Sequence, residues 1–187
     1  SDLNLGIGSD DTIDFTTVNI TGETAFEAYV TIVDETGVTF PDPFTISSYT
    51  INADGITAVS GDWTIASDGG LSHSKNGPSE DYLINFTLTG DLTVNSGGQI
   101  NVDEMGYLAD EGPGQPPAGL RDGGSYGGVG GDDNGNETPA STYGSIFAPV
   151  NLGSGGDTHD GAGAIILTVT GTTTLNGLMT SNGEDGS

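Results

Sequence analysis

The strongest set of oxygen ligands in this chain is Asp132-Asp133-Asn134-Gly135-Asn136-Glu137. Asp132, Asn134 and Asn136 alternate, as ligands do in a calcium loop, and Glu137 follows directly. The glycine stands at position 4 of the run rather than 6, and no Glu stands at position 12, so the helix-loop-helix calcium pattern does not apply. The expectation is an irregular Ca²⁺ site on Asp132, Asn134, Asn136 and Glu137, set against a plain solvated acidic turn. Ser9-Asp10-Asp11 with Asp14, and Asp103-Glu104 with Asp110-Glu111, are sparser versions of the same chemistry. Asp157-Thr158-His159-Asp160 carries transition-metal donors, but a lone histidine more often sits on a surface than on a metal.

Catalytic chemistry has little to work with. The only cationic or imidazole side chains are Lys75, Arg121, His73 and His159. His73 and Lys75 share one polar stretch, LSHSKNGPSED, which keeps a polysaccharide lyase or hydrolase as a second alternative. No nucleophile elbow, phosphate loop or zinc-protease motif occurs, and Ser125 in GGSYGG reads as a turn serine. The expectation is therefore no enzyme. Tyr107, Tyr126 and Tyr143 are spaced as a carbohydrate-stacking platform would need, or as plugs in a glycine-rich layer. Asn19, Asn85 and Asn136 open glycosylation triplets.

Composition narrows the partners. Lys and Arg total 2 against 27 acidic residues, a net charge of −25. Phosphate backbones and anionic membrane surfaces demand cationic side chains, so neither is an expected partner, and no apolar run approaches about 18 residues, so no membrane insertion is expected. Such a chain repels its own copies unless salt or divalent ions screen it. Cysteine is absent, which removes disulfides, thiolate metal sites and a thiol nucleophile. The start at Ser1 and the turn-like end at SNGEDGS read as a processed or excised segment.

The elements that must position these residues are strands. Thr12–Ile20 and Ala25–Asp34 alternate with period 2, and Phe26, Ala28, Val30 and Ile32 share one face. From Phe44 short alternating runs are broken by Gly, Asn and Asp at intervals of roughly 8–12 residues, the rhythm of an all-β sandwich, barrel or solenoid. Trp63 and Ile65 point inward in this reading. One template appears twice, as FTLTGDLTVNSGGQINVDEMG from Phe86 and LTVTGTTTLNGLMTSNG from Leu167. Their Thr-Gly glycines, Gly90 and Gly171, lie 81 positions apart. Stacked as neighbours, they bring Asn95 and Asn176 together. Ala164–Leu167 is a continuous apolar run, the pattern of a strand buried on both faces. Of the 33 glycines, 10 lie in residues 1–96 and 23 in 97–187. The segment from about 105 to 163 is glycine-rich yet punctuated by Tyr, Phe, Ile, Leu and Val, which implies ordered packing rather than a linker.

The order TGDLTVNSGGQINV, GPG, GGSYGGVGG, YGS, GSGG and GAGAIILTVTGTTTLNG resembles the glycine-rich β-helical segments of large secreted bacterial and archaeal surface proteins of adhesin type. The glycine-rich block is also similar to the glycine-rich extracellular domain of anaplastic-lymphoma-kinase-type receptors. The resemblance covers residues 84–187 and implies a right-handed parallel β-helix with a large glycine-rich insertion. A β-sandwich of jelly-roll type stays open beside it, above all for residues 12–60.

The expected organisation is an N-terminal arm with strands over 1–43, then a β-solenoid over 44–187 with its insertion at about 105–163. The expected function is a non-enzymatic extracellular or cell-surface structural module, part of a matrix or a self-assembling filament and stabilised by calcium. Its partner is itself, end to end or by strand addition of the Leu3–Ile7 arm. A glycan-binding adhesin module, gripping carbohydrate through Tyr107, Tyr126 and Tyr143, is the alternative.

Overall fold

A computed structural model describes residues 13–14, 29–32, 38–117, 121–132 and 140–185. The expected sites at Asn19, Asn134, Asn136 and Glu137 lie outside these residues, as do the Leu3–Ile7 arm, Phe26 and Ala28. All regular structure among the described residues is β. The chain divides into two compact units, each described by itself. The first takes the described residues up to Ser74 with Ile84–Asn101 and Ile166–Thr180, and the second takes Lys75–Leu83, Val102–Ile165 and the tail from Ser181. The second unit thus contains the whole glycine-rich stretch read as 105–163, together with the 75–83 loop.

The first unit opens with β1 (Ile13–Asp14), β2 (Tyr29–Thr31) and β3 (Val38–Thr39). It continues through β4 (Phe44–Ile46), β5 (Thr50–Asn52), β6 (Ala58–Ser60), β7 (Trp63–Ile65), β8 (Gly70–Ser72), β9 (Ile84–Thr89), β10 (Leu92–Val94) and β11 (Gln99–Asn101). After the glycine-rich segment come β12 (Ile165–Val169), β13 (Thr173–Leu175) and β14 (Leu178–Thr180). From β4 onward, each strand pairs with the strand three later. One sheet runs β4-β7-β10-β13, a second β2-β5-β8-β11-β14, and a third β6-β9-β12, with β1 and β3 as a separate parallel pair. The pairs β4–β7, β7–β10, β10–β13, β2–β5, β5–β8, β8–β11, β11–β14 and β6–β9 are parallel. That order departs from the antiparallel jelly roll held as the alternative.

Register explains why these residues make these strands. Phe44, Trp63 and Leu92 align, and so do Ile46, Ile65 and Val94. All six are buried. Between them Thr45, Thr64, Thr93 and Thr174 form one column on the opposite face, where a branched side chain suits the pleat. In the second sheet Val30, Ile51, Leu71, Ile100 and Met179 align. Val30 and Ile32 are buried on the face expected for them. Trp63 is 1% exposed, with the rings of Phe40, Phe44 and Phe86 at 4.9, 5.1 and 5.7 Å.

The turns repeat as well. Asp62 N–H donates to Asp42 Oδ1 at 3.1 Å, Asp91 N–H to Asp62 Oδ1 at 2.9 Å, and Thr172 N–H to Asp91 Oδ1 at 2.7 Å. Each turn's carboxylate thus receives the next turn's amide, a column of side-chain bonds along one corner. At the following corner glycine is required by close approach: a Cβ on Gly98 would lie 2.5 Å from Ala66 O, and one on Gly177 2.3 Å from Gly98 O.

Two expectations about the late strands meet different outcomes. The 81-residue pairing holds, since Leu92, Thr93 and Val94 align with Thr173, Thr174 and Leu175. Asn176 N–H then donates to Val94 O at 2.8 Å, which places Asn176 in line with Asn95. The doubly buried strand does not hold. β12 is an edge strand of its sheet, and Ile165, Ile166 and Leu167 are half-buried. Among the described residues its one sheet neighbour is β9, and the half-burial of successive residues shows that neither face is fully covered.

Candidate functional site

The second unit is built by glycine packing. Gly106 N–H donates to Gly161 O at 2.8 Å, Gly161 N–H to Tyr107 O at 2.8 Å, and Gly153 N–H to Ala162 O at 2.8 Å. Gly123 N–H donates to Gly131 O at 2.8 Å and Ser125 N–H to Gly114 O at 2.8 Å. Glycine is required here by the space beside these bonds: a Cβ on Gly106 would lie 2.3 Å from Ala162 O, and one on Gly161 1.9 Å from Gly153 O. The small apolar centre is Tyr107, Leu152 and Ala164, with Leu83 against it.

Buried polar side chains tie the glycine segments. Asn76, 3% exposed, donates from Nδ2 to Tyr82 O and Met105 O at 2.8 and 2.9 Å, and accepts on Oδ1 from the Asp81 and Tyr82 amides at 2.8 Å each. All its hydrogen-bonding capacity is used internally. Ser125 donates from Oγ to Ala140 O at 3.0 Å and accepts from Gly130 N–H at 2.9 Å. It is a buried brace. Glu80 accepts from Leu152 N–H at 3.1 Å and from the Asn151 side chain at 3.4 Å.

The three tyrosines are braces too. Tyr107 is 7% exposed, so its ring offers little surface for stacking, and burial pushes its hydroxyl pKa up. Tyr126 and Tyr143 meet edge to face, with ring centroids 4.9 Å apart. Tyr143 donates to Leu152 O and accepts from Ser154 Oγ at 3.0 Å, and burial pushes its pKa up to about 12. Tyr126 OH accepts from the Val150 and Asn151 amides at 3.2 and 3.3 Å. The two half-buried rings of Tyr126 and Tyr143 are thus locked against each other.

The other singled-out residues are dispersed. Asp132 is exposed, and its three proposed co-ligands fall outside the described residues. Asn85 points outward from β9 and is exposed, as an acceptor for glycosylation must be. His73 is 1% exposed, with Nδ1 2.8 Å from Ser74 O. Burial holds its pKa below the ordinary imidazole value. Lys75 is committed to an ion pair with Asp160. No group of three or more His, Cys, Asp or Glu converges on a metal-sized site among the described residues.

What the second unit does contain is an open polar cleft of about 680 Å³. Its walls carry Arg121, Asp122, Asp157, His159, Asp160 and Glu184, and glycine backbone from 123–124, 156 and 161 fills the gaps. Asp160 organises one side. Its Oδ1 accepts from Ala109 N–H at 2.8 Å and its other oxygen meets Lys75, while its amide donates to Glu184 Oε2 at 3.1 Å. Glu184 N–H returns a bond to Asp160 O at 2.9 Å. Asp122, also in the lining, is 3% exposed. In the sequence, Asp157–Asp160 stands out as a cluster and Arg121 only as one of the few cations. Arg121, Asp122 and Glu184 come from segments up to 63 residues apart, with no shared motif to link them.

No protein-family model, curated protein or solved structure matches this chain.

Proposed function

We propose that the first unit is a right-handed parallel β-helix and that the chain is a non-enzymatic, extracellular structural module that assembles with copies of itself. The observation that carries this reading is the three-strand repeat, in which aligned strands bury aligned apolar residues turn upon turn. A repeat of this kind grows by adding turns, each contacting only its neighbours. The polar side chains support it too: His73 is buried and Lys75 is ion-paired, so the two groups that kept a lyase open serve structure.

Assembly runs through the turn formed by β12, β13 and β14. Leu175, Leu178 and Met179 are 47, 48 and 39% exposed, whereas the residues aligned with Leu175 and Met179 on earlier turns are buried. Residues 161–183 contain no charged side chain, in a chain of net charge −25. Two copies therefore meet with least repulsion at this face, and salt or calcium lowers the remainder. Strand edges there have no partner among the described residues and offer backbone hydrogen bonds to an incoming strand. Light scattering in about 5 mM calcium, a level suited to weak extracellular sites, tests the proposal. The intact chain is expected to associate, and the Leu175→Asp/Met179→Asp variant to stay monomeric with an unchanged circular dichroism spectrum. A monodisperse monomer for the unaltered chain overturns it.

A further inference from the structure

Beyond that structural role, we propose that the cleft of the second unit binds a basic amino sugar, a pyranose carrying a free ammonium group among its hydroxyls. The cleft's volume of about 680 Å³ lies in the range of small-molecule sites and admits a short oligosaccharide. Its walls mix acceptors and donors: the carboxylates of Asp122, Asp157, Asp160 and Glu184, the imidazole of His159 and the guanidinium of Arg121.

Internal bonds decide which of these groups face a ligand. Asp160 is spent on Ala109 and Lys75, and one Glu184 oxygen on Asp160 N–H. His159 Nδ1 is 2.9 Å from Thr158 Oγ1, which leaves Nε2 for the cleft. The guanidinium of Arg121 and the carboxylate of Asp157 make no bond to another described side chain. Carboxylates outnumber cations even after Lys75 is counted against Asp160. A ligand that only accepts hydrogen bonds, or that carries carboxylates as a uronic acid does, meets like charge on most of the wall. An ammonium group supplies three donors to that excess. Ring and hydroxyl oxygens supply the acceptors that the fork of Arg121 requires. Amino sugars join the two kinds of group on one rigid frame. The glycine walls make the cleft a preformed shape: a Cβ on Gly124 would stand 2.4 Å from Ser154 O, and one on Gly161 1.9 Å from Gly153 O.

Titration calorimetry on the intact chain tests this, using a glucosamine trisaccharide, its fully N-acetylated counterpart, a glucuronate-containing trisaccharide and spermidine. The glucosamine trisaccharide is expected to bind at least tenfold more tightly than the acetylated and acidic sugars. Asp157→Ala and Arg121→Ala are each expected to weaken it about tenfold, while Asp91→Ala, on the first unit, leaves it unchanged. Absence of binding overturns the proposal. So does equal binding of spermidine and the sugar with no response to Arg121→Ala, because that is general attraction of a cation to an acidic chain. Binding is read in monomeric and associated samples alike, so failure here and failure of self-association are separate results.

Discussion

Trp63→Ala should lower the stability of the first unit by about 3–5 kcal/mol, the usual loss when a buried aromatic is truncated to alanine. Trp63 is 1% exposed and touches aromatic rings from three other positions, Phe40, Phe44 and Phe86. It also aligns with Phe44 on one neighbouring strand and Leu92 on the other. Its removal opens a void between turns that are pinned by backbone bonds on both sides, so little collapse can refill it. A second variant separates packing from mere bulk. The indole N–H meets no acceptor among the described residues, a cost of about 1–3 kcal/mol for a buried donor. Trp63→Phe keeps a ring and deletes that donor, so it should cost well under half as much as Trp63→Ala. Urea unfolding followed by circular dichroism measures both. Equal losses for Phe and Ala would mean that the aromatic cluster does not hold the turns.

Gly161→Ala should disrupt the second unit, by about 3 kcal/mol or more, at the upper end of what overpacking costs. The added Cβ would lie 1.9 Å from Gly153 O and 2.5 Å from Gly153 C, both backbone atoms that cannot rotate away. Gly153 and Gly161 are each tied into the same layer, through Ala162 O and Tyr107 O. Relief therefore requires separating the layer itself. Gly128→Ala is the matched control, because nothing stands within 4 Å of its Cβ. It should be neutral within about 0.5 kcal/mol, the range of ordinary surface changes. Protease resistance of the 102–165 segment reports the difference. A Gly161→Ala protein as resistant as the Gly128→Ala protein would contradict glycine packing.

The sequence is most readable where side-chain type and register coincide. Alternation placed Trp63 and Ile65 inside and predicted the β class, and the 81-residue template spacing foretold which strands would pair. The template is in fact longer-lived than its two obvious copies. PDPFTI and SGDWTI carry the same apolar-Thr-apolar triplet as TGDLTV, with an Asp one or two residues ahead of it, and they occupy the two preceding turns of the same sheet. Their spacings of 19 and 29 residues obscure it, because connecting segments vary freely while strand register does not. The second unit was legible only in outline. Its glycines and tyrosines announced packing, but backbone contacts such as Gly106 with Gly161 leave no periodic trace. The same holds for the cleft, where Arg121, Asp122 and Glu184 meet only because distant glycine segments lie together. Ala164–Leu167 misled because apolar continuity reports burial averaged over many proteins, and this strand has a sheet partner on one side.

The two copies of the template are adjacent turns of the first unit although 81 residues separate them in sequence. Thr93 and Thr174 face one another across that junction, and the chain has no native cysteine to interfere. Parallel neighbours lie about 4.8 Å apart, within the Cα separation of about 4.4–6.8 Å that a disulfide spans. The Thr93→Cys/Thr174→Cys protein, oxidised under mild conditions, is expected to lose two hydrogens by intact mass and to yield linked peptides on non-reducing digestion. Thr45→Cys/Thr93→Cys, two strands apart in the same column, is expected to remain reduced. A 93/174 pair that stays reduced, or a 45/93 pair that links equally well, would contradict the stacking of these turns.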